Sequence, residues 1–156
     1  MAEPKPNSLF VMEAVRIAEE MHRFQFDKAG EPYILHPMAV LLSLPASDWE
    51  GRAVAALHDV VEDTSMTLAD LACMGFPDSV LQAVDAITKR PGETVRTYWE
   101  RCCADPIARR VKLADTAHNS SEERLSGLSE SEASYLRKKY EEAKVFFAER
   151  TEGTDS

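Results

Sequence analysis

Residues 55–64 read Ala-Ala-Leu-His-Asp-Val-Val-Glu-Asp-Thr, and this stretch governs the interpretation of the whole chain. Within six consecutive positions it holds four side chains able to bind a metal or move a proton: His58, Asp59, Glu62 and Asp63. Apolar residues precede and separate them, which excludes a solvated charged loop. On one continuous helix, His58 and Glu62 would stand four positions apart, as would Asp59 and Asp63. The stretch therefore predicts two polar pairs on adjacent faces of a buried helix.

This polar cluster predicts a metal site. Carboxylates and an imidazole among apolar neighbours are unfavourable to bury unless a cation or hydrogen bonds compensate them. Two further polar positions lie elsewhere in the chain: His36 at a loop-to-helix junction, and Asp115, which shares a helix face with Asn119. Together His36, His58, Asp59 and Asp115 form a mixed nitrogen and oxygen donor set that suits a borderline divalent ion such as Mn²⁺. An ion with an open coordination position could bind water and lower its pKa.

Helical periodicity runs through nearly the whole sequence. Apolar residues recur every three to four positions over 8–24, behind Ser8 as a candidate N-cap. No segment alternates with a period of two, so we expect an all-α fold, a single helical bundle. Further helices are predicted from Pro37, from a cap at Ser47 through Val61, from a capping box at Thr67, from Pro77, over 94–103 and 105–118, and from a capping box at Ser129. The predicted domain covers 8–150, between a disordered N-terminus at 1–7 and a disordered tail at 151–156.

Length and composition limit the classes of function. A chain of 156 residues, 44% hydrophobic and 29% charged, fits one globular domain with no membrane span and no export signal. Three cysteines without a CxxC motif predict reduced thiols and a cytoplasmic location. The net charge of −9 argues against nucleic-acid binding, so a phosphate would need a local cluster of Lys and Arg, or a metal. The expected partner is a small molecule, and the sequence defines no oligomeric state.

Several motifs, taken together and in order, resemble one known family. They are Leu-His-Asp-Val-Val-Glu-Asp-Thr at 57–64, Pro-Tyr-Ile-Leu-His-Pro at 32–37, and Val-Lys-Leu-Ala-Asp at 111–115 followed by His118-Asn119. In these elements the chain resembles the HD-domain hydrolases of the RelA/SpoT type, in the form of a small stand-alone alarmone hydrolase without a synthetase half. The similarity extends from His22-x-x-Gln25 to Arg137-x-x-Tyr140-x-x-Ala143. A His-Asp pair alone is common to all HD phosphohydrolases, whereas the Glu-Asp extension in this order is far more specific.

The resemblance implies a role for each matching residue. His36, His58, Asp59 and Asp115 would hold one Mn²⁺, and Glu62 and Asp63 would position and deprotonate the metal-bound water. The nucleotide would be bound by Lys28, Asn119 at the ribose or its phosphate, and Tyr140. Apart from the resemblance, Lys112 is the basic residue best placed by sequence to offset negative charge near the pocket. The implied reaction removes the 3′-pyrophosphate from guanosine tetra- or pentaphosphate, the alarmones of the stringent response. The products are pyrophosphate and GDP or GTP.

One position departs from the family pattern and keeps the base preference open. After His22-x-x-Gln25 the family usually carries an Arg that stacks on guanine, but this chain has Asp27, followed by Lys28. Arg23, one turn earlier, is either a compensating cation or a solvated helix residue. The departure weakens the case for guanosine and leaves room for an alternative substrate, an adenosine alarmone or another nucleotide such as NADPH. Release of pyrophosphate would support an alarmone, and release of orthophosphate would support another nucleotide.

Two alternative functions involve no catalysis. A binding module would retain the pocket and have lost catalysis, but Glu62 and Asp63 are both intact. A purely structural protein would leave the buried carboxylate cluster unexplained. The sequence therefore favours a metal-dependent hydrolase of a purine nucleotide.

Overall fold

The computed structural model describes residues 2–3 and 7–152, and these residues confirm the all-α prediction. They contain no β-strand, only an isolated bridge between Phe26 and Pro32. The helices are α1 Ser8–His22, α2 Leu35–Ser43, α3 Trp49–Leu57, α4 Val60–Asp63, α5 Leu68–Cys73, α6 Asp78–Ile87, α7 Val95–Ala104, α8 Pro106–Asn119, α9 Glu122–Leu125 and α10 Glu130–Glu152. The predicted disordered ends fall largely outside the described residues, at 1, 4–6 and 153–156. Helix α10 continues to Glu152, two residues beyond the predicted domain boundary.

The bundle is arranged around α3, which packs against α1, α2, α6 and α8. Three alanines on this helix, Ala53, Ala55 and Ala56, are fully buried, and their small side chains let neighbouring helices approach closely. Larger residues, including Ile17 and Phe147, complete the core around them. The polar stretch 58–63 therefore begins where the most deeply buried helix ends.

The continuous helix predicted through residues 58–63 is wrong. Helix α3 ends at Leu57, and α4 begins at Val60, with His58 and Asp59 in a turn between them. The Nδ1 atom of His58 donates a hydrogen bond to the carbonyl oxygen of Ala55 at 2.6 Å. That carbonyl would accept the amide of Asp59 in an uninterrupted helix, so the imidazole competes with the helical bond. His58 and Glu62 are consequently not on one helix, whereas Asp59 and Asp63 remain one turn apart, because the amide of Asp63 donates to the carbonyl oxygen of Asp59 at 2.9 Å.

Three other boundaries differ from the prediction. Helix α2 begins at Leu35, two residues before Pro37. Asp48, instead of Ser47, caps α3, because its Oδ1 accepts the amide of Gly51 at 2.9 Å. A Cβ atom at Gly51 would lie 2.2 Å from Asp48 Oδ2, so glycine is needed for this cap. The short helix α9 was not predicted.

Two of the four predicted capping positions, Thr67 and Ser129, have capping contacts, whereas Asn7, without a side-chain cap bond, takes the N-cap position of α1 predicted for Ser8. The capping box at Thr67 is complete, with Asp70 as its second member. At the start of α10, the Ser129 hydroxyl oxygen accepts the amide of Glu132 at 3.3 Å. The sequence therefore predicts the side-chain caps at the starts of α5 and α10.

Candidate active site

Three of the four predicted metal ligands meet in the buried centre of the bundle. His36 comes from α2, His58 follows α3, and Asp115 lies on α8. The Nε2 atom of His36 is 2.8 Å from Asp115 Oδ1, and that of His58 is 3.4 Å from the same oxygen. One donor atom from each residue lies within 4.8 Å of the other two, and all three residues are buried. Packing of three helices thus assembles a possible divalent-metal site.

The fourth predicted ligand, Asp59, borders this site. Its Oδ2 atom is 3.0 Å from His58 Nε2 and also accepts a hydrogen bond from the hydroxyl of Tyr33. Tyr33 was not among the predicted site residues, although it lies three residues before His36 in the quoted motif. The Tyr33 contact fixes the orientation of the Asp59 carboxylate beside the histidines.

The hydrogen bonding of the histidines fits a metal. His58 Nδ1 donates to a carbonyl, and its buried Nε2 atom faces Oδ2 of Asp59 and Oδ1 of Asp115 without a well-aligned hydrogen bond to either. His36 Nδ1 lies 2.7 Å from Nδ1 of His118, whose ring stacks on it. Ring nitrogens held in this way are typical of metal-binding histidines. His118 therefore orients His36.

The site also has the electrostatics of a cation site. Burial disfavours a charged imidazole at His58, yet the carboxylates of Asp59 and Asp115 outweigh it and raise the pKa of His58 well above its usual range. The negative charges of the two carboxylates thus stabilise a positive charge at the position between them. A divalent metal ion bound there would supply that positive charge in place of a proton and would take Nε2 of the neutral imidazole as a ligand.

Two predicted substrate residues are bound to Asp115. Lys112 Nζ is 2.9 Å from Asp115 Oδ2, and Asn119 Nδ2 donates to Asp115 Oδ1 at 3.0 Å. The ammonium group of Lys112 also lies 5.3 Å from the centre of the Tyr98 ring. Burial would raise the pKa of Asp115, but Lys112 and the histidines keep it well below its usual range. Both residues therefore hold Asp115 ionised and in position.

The two predicted catalytic carboxylates lie on α4 but are placed differently. Glu62 lines the metal-site cavity, and its Oε2 atom accepts the amide of Lys89 at 3.4 Å. Burial, and then the charge of Asp59, raises the pKa of both Glu62 and Asp63. Among the described residues that line the cavity, Asp63 is absent, and its backbone carbonyl accepts a hydrogen bond from Gln25. Of the two, Glu62 has the better access to a bound substrate.

Two cavities adjoin at this site. The metal cavity has a volume of about 360 Å³ and contains His36, His58, Asp59, Glu62 and Asp115 in its wall. The apolar cavity, of about 320 Å³, is lined largely by Phe26, Leu125, Leu128 and Leu136, with Asp27 and Lys28 at its wall. Both are lined by Tyr33, Asn119, Arg124 and Tyr140. The predicted nucleotide residues Lys28, Asn119 and Tyr140 thus lie in or between the cavities.

Cations gather at the metal cavity despite the net charge of −9. Its wall includes Lys89, Lys112, Arg124 and Lys139. Burial, together with repulsion from Lys112 and Lys89, lowers the pKa of Lys139. Sequence reasoning missed Lys89, Arg124 and Lys139, since nothing local distinguishes them from solvated surface charges. Their convergence suits a ligand that carries several negative charges.

Relatives with similar sequences carry related names. The chain is 39% identical over 117 residues to the GTP pyrophosphokinase of Streptomyces coelicolor, covering 68% of this chain and 14% of that protein. It is 31% identical over 122 residues to the guanosine-3′,5′-bis(diphosphate) 3′-pyrophosphohydrolase of Borreliella burgdorferi, covering 70% and 18%. With the bifunctional (p)ppGpp synthase/hydrolase SpoT of Escherichia coli it shares 33% identity over 120 residues, covering 69% and 17%. The chain thus spans less than a fifth of each relative's length.

A solved structure has the same fold. It is described as a metazoan ortholog of SpoT that hydrolyzes ppGpp, and it matches with a TM-score of 0.71 and 24% identity. The match covers 99% of this chain and 90% of that one, so the fold is shared over its full extent. A scan against family models gave no match.

Fold and site define an all-α protein with a buried histidine–carboxylate centre beside a cationic cavity. With the sequence similarities added, the chain belongs to the RelA/SpoT family. No helix among the described residues is long and apolar enough to cross a membrane.

Proposed function

We propose that this protein is a metal-dependent 3′-pyrophosphohydrolase of purine alarmones such as guanosine 3′,5′-bis(diphosphate). The products would be pyrophosphate and GDP, or GTP from the pentaphosphate. One observation carries the proposal: a buried His36–His58–Asp115 cluster opens into a cation-lined cavity that adjoins an apolar one. A substrate with a flat base at one end and a diphosphate at the other matches this division.

The proposed metal is one Mn²⁺ ion, held by His36, His58 and Asp115 with Asp59 as the fourth ligand. The Nε2 atom of His58, which faces two carboxylates, and the mixed nitrogen and oxygen donors support this choice. When bound, the ion would supply Lewis-acid activation of water and of the phosphoryl group.

The remaining steps fall to residues of the chain. Glu62, with its raised pKa, would accept the proton of the attacking water, and Asp63 would support its position. Water would add to the phosphorus next to the ribose 3′ oxygen, and that oxygen would leave and take up a proton. Lys89 and Lys139 would neutralise charge on the diphosphate. Lys112 would assist by keeping Asp115 ionised.

The nucleoside part would occupy the apolar cavity and its junction. Asn119 and Tyr140 line both cavities, which suits contact with the ribose between the base and the 3′-diphosphate. Lys28 would lie beside the nucleotide on the apolar side. The ligand would be a free nucleotide in the cytoplasm.

The relatives' names support this reaction. Those of the Borreliella and Escherichia coli proteins include hydrolysis of the guanosine alarmone, and the solved metazoan structure is described as hydrolysing ppGpp. The GTP pyrophosphokinase of Streptomyces coelicolor is named instead for synthesis. The His–Asp cluster with Glu62 beside it supports hydrolysis for this chain.

A second candidate substrate is the adenosine alarmone. Asp27 lines the apolar cavity at the position that prompted the question of base preference. A carboxylate there changes the electrostatic environment of a bound base, which keeps adenosine as well as guanosine alarmones as candidate substrates.

The test is a paired assay of purified protein with Mn²⁺, offered guanosine tetraphosphate and its adenosine counterpart. Pyrophosphate and orthophosphate are measured separately, and reactions with Mg²⁺, Zn²⁺ or chelator run in parallel. We expect metal-dependent pyrophosphate release from at least one alarmone. Release of orthophosphate alone, or from NADPH instead of either alarmone, would contradict the proposal.

A further inference from the structure

Arg124 occupies the junction between the two cavities. It lies on α9, its side chain is 22% exposed, and it lines both the metal cavity and the apolar cavity. Its Nη1 atom is 3.7 Å from Oδ2 of Asp27. A guanidinium group has five N–H donors, and this single long contact leaves most of them available.

Asp27 is fixed more firmly than Arg124. Its Oδ1 atom accepts the amides of Ala29 and Glu31, both at 2.9 Å, and these bonds close the loop 27–31. With one oxygen engaged by the loop, Oδ2 is directed to Arg124. The carboxylate therefore serves both as a loop acceptor and as a partner for the guanidinium.

The loop and the segment after α9 are in close contact. A Cβ atom at Gly127 would lie 2.7 Å from Cβ of Ala29, a separation that requires one of them to move. Glycine at this position therefore allows the segment carrying Arg124 to approach the loop carrying Asp27. The pair spans a packed interface between two chain segments.

Charge distinguishes Arg124 from the lysines nearby. Within the part of the chain that the structure describes, neither Lys89 nor Lys139 forms an ion pair with a carboxylate, whereas Arg124 faces Asp27. A phosphate gains more from an unpaired cation than from one already neutralised. A guanidinium that faces a carboxylate still presents a flat face that stacks on aromatic rings.

We propose that Arg124, positioned by Asp27, stacks its guanidinium plane on the purine base bound in the apolar cavity. The inference rests on the proposed function in taking a purine nucleotide as the ligand. Arg124 is then a substrate-binding residue, and Asp27 is a positioning residue that acts through it. Arg23 does not fill this role, since its side chain is 55% exposed and pairs with Glu19, four residues earlier.

The experiment compares four proteins: wild type, Arg124→Gln, Arg124→Lys and the control Arg137→Gln. Arg137 pairs with Glu122 of α9 at 3.2 Å and is half exposed, so its loss tests whether disturbing α9 alone matters. Calorimetry measures binding of GDP, ADP and inorganic pyrophosphate in chelator, and thermal unfolding reports the fold. Steady-state assays with Mn²⁺ give kcat and KM.

We expect Arg124→Gln to weaken binding of at least one nucleoside diphosphate about tenfold, as typical for loss of one base-stacking contact. Pyrophosphate binding, kcat and the unfolding temperature should stay within about twofold or a few degrees of wild type. Arg124→Lys should fail to restore affinity, because an ammonium has no plane to stack. Full restoration by Lys, or an equal loss for pyrophosphate, would overturn stacking in favour of phosphate binding.

Asp27→Asn tests the positioning role. An amide oxygen can still accept the loop amides of Ala29 and Glu31, but it does not pair with Arg124 as a charge. We expect a rise in KM of about threefold with kcat unchanged, and no additional effect when Arg124→Gln is already present. Independent, additive effects would contradict coupling through Arg124.

The two proposals can fail separately. Calorimetry needs no turnover, so nucleotide binding that depends on Arg124 without hydrolysis would refute the proposed function and support this inference. Hydrolysis that is indifferent to Arg124→Gln would do the reverse. A wild-type protein that binds neither GDP nor ADP would overturn the stacking assignment.

Discussion

The metal cavity and the apolar cavity differ in the number of hydrogen bonds and ion pairs that fix their lining side chains. In the metal cavity, Asp115 alone contacts Lys112, Asn119 and two histidines, and its carboxylate is almost fully buried. In the apolar cavity, Phe26 is 64% exposed, and Arg124 meets Asp27 through one 3.7 Å contact. The residues proposed for the chemistry thus belong to a dense hydrogen-bonded network, whereas those proposed to contact the base line a more exposed surface. Substitutions in the metal cavity should therefore change metal content and kcat, whereas substitutions in the apolar cavity should change KM.

The largest effect is expected for Asp59→Ala. It removes one proposed ligand and leaves His58 facing a single carboxylate, so both metal content and activity should be lost. The activity loss should exceed the roughly 100-fold typical of removing a hydrogen-bond partner of a ligand. Metal analysis and the pyrophosphate assay check this, with the exposed Asp85→Ala as control. Full metal occupancy in the Asp59 variant would show that Asp59 is not a metal ligand.

Glu62→Gln should separate metal binding from catalysis. The amide keeps the size of the side chain but no longer accepts a proton, so kcat should fall by about 10²–10⁴. Metal content should match wild type, since Glu62 is outside the close His36–His58–Asp115 cluster. The matched control is Glu20→Gln on the exposed face of α1. Loss of metal together with activity would make Glu62 a ligand.

Tyr33→Phe should have an intermediate effect. It removes the hydroxyl that donates to Asp59 but keeps the ring between the cavities. Metal affinity should drop about tenfold, as expected when the partner of a ligand is lost. Titration of the metal-free protein with Mn²⁺ measures this, and activity should recover at saturating metal. Activity that stays low at saturation would assign Tyr33 a direct role with the substrate.

Leu128→Ala should have the smallest effect and act on the apolar cavity alone. Removing part of one lining side chain reduces apolar contact with the base, so KM should rise about threefold. Metal content and kcat should stay unchanged, because the metal cavity does not include Leu128. Steady-state kinetics with the preferred alarmone provide the measurement. A change in kcat instead would show that the two cavities are not energetically separate.

The sequence predicted one cavity better than the other for a physical reason. His36, His58 and Asp115 belong to residue types that are unfavourable to bury without a partner, so an apolar setting already indicates their shared site. Arg124, Lys89 and Lys139 are residue types that normally remain solvated, and no local pattern marks the few that face a cavity. Tyr33 could have been found, since it lies one turn before His36 within a motif already singled out.

By itself the sequence determined the all-α class and the caps at Thr67 and Ser129, and it singled out the buried side chains His36, His58 and Asp115. These depend on periodicity, local hydrogen bonding and residue chemistry, all of which act over a few positions. Tertiary structure decided the helix break at His58, the contact of Lys112 and Asn119 with Asp115, and the pairing of Arg124 with Asp27. The contact between Asp27 and Arg124 joins residues 97 positions apart in the sequence. At His58, a side-chain hydrogen bond to the Ala55 carbonyl replaces a helical backbone bond. Only packing of the whole bundle settles such choices.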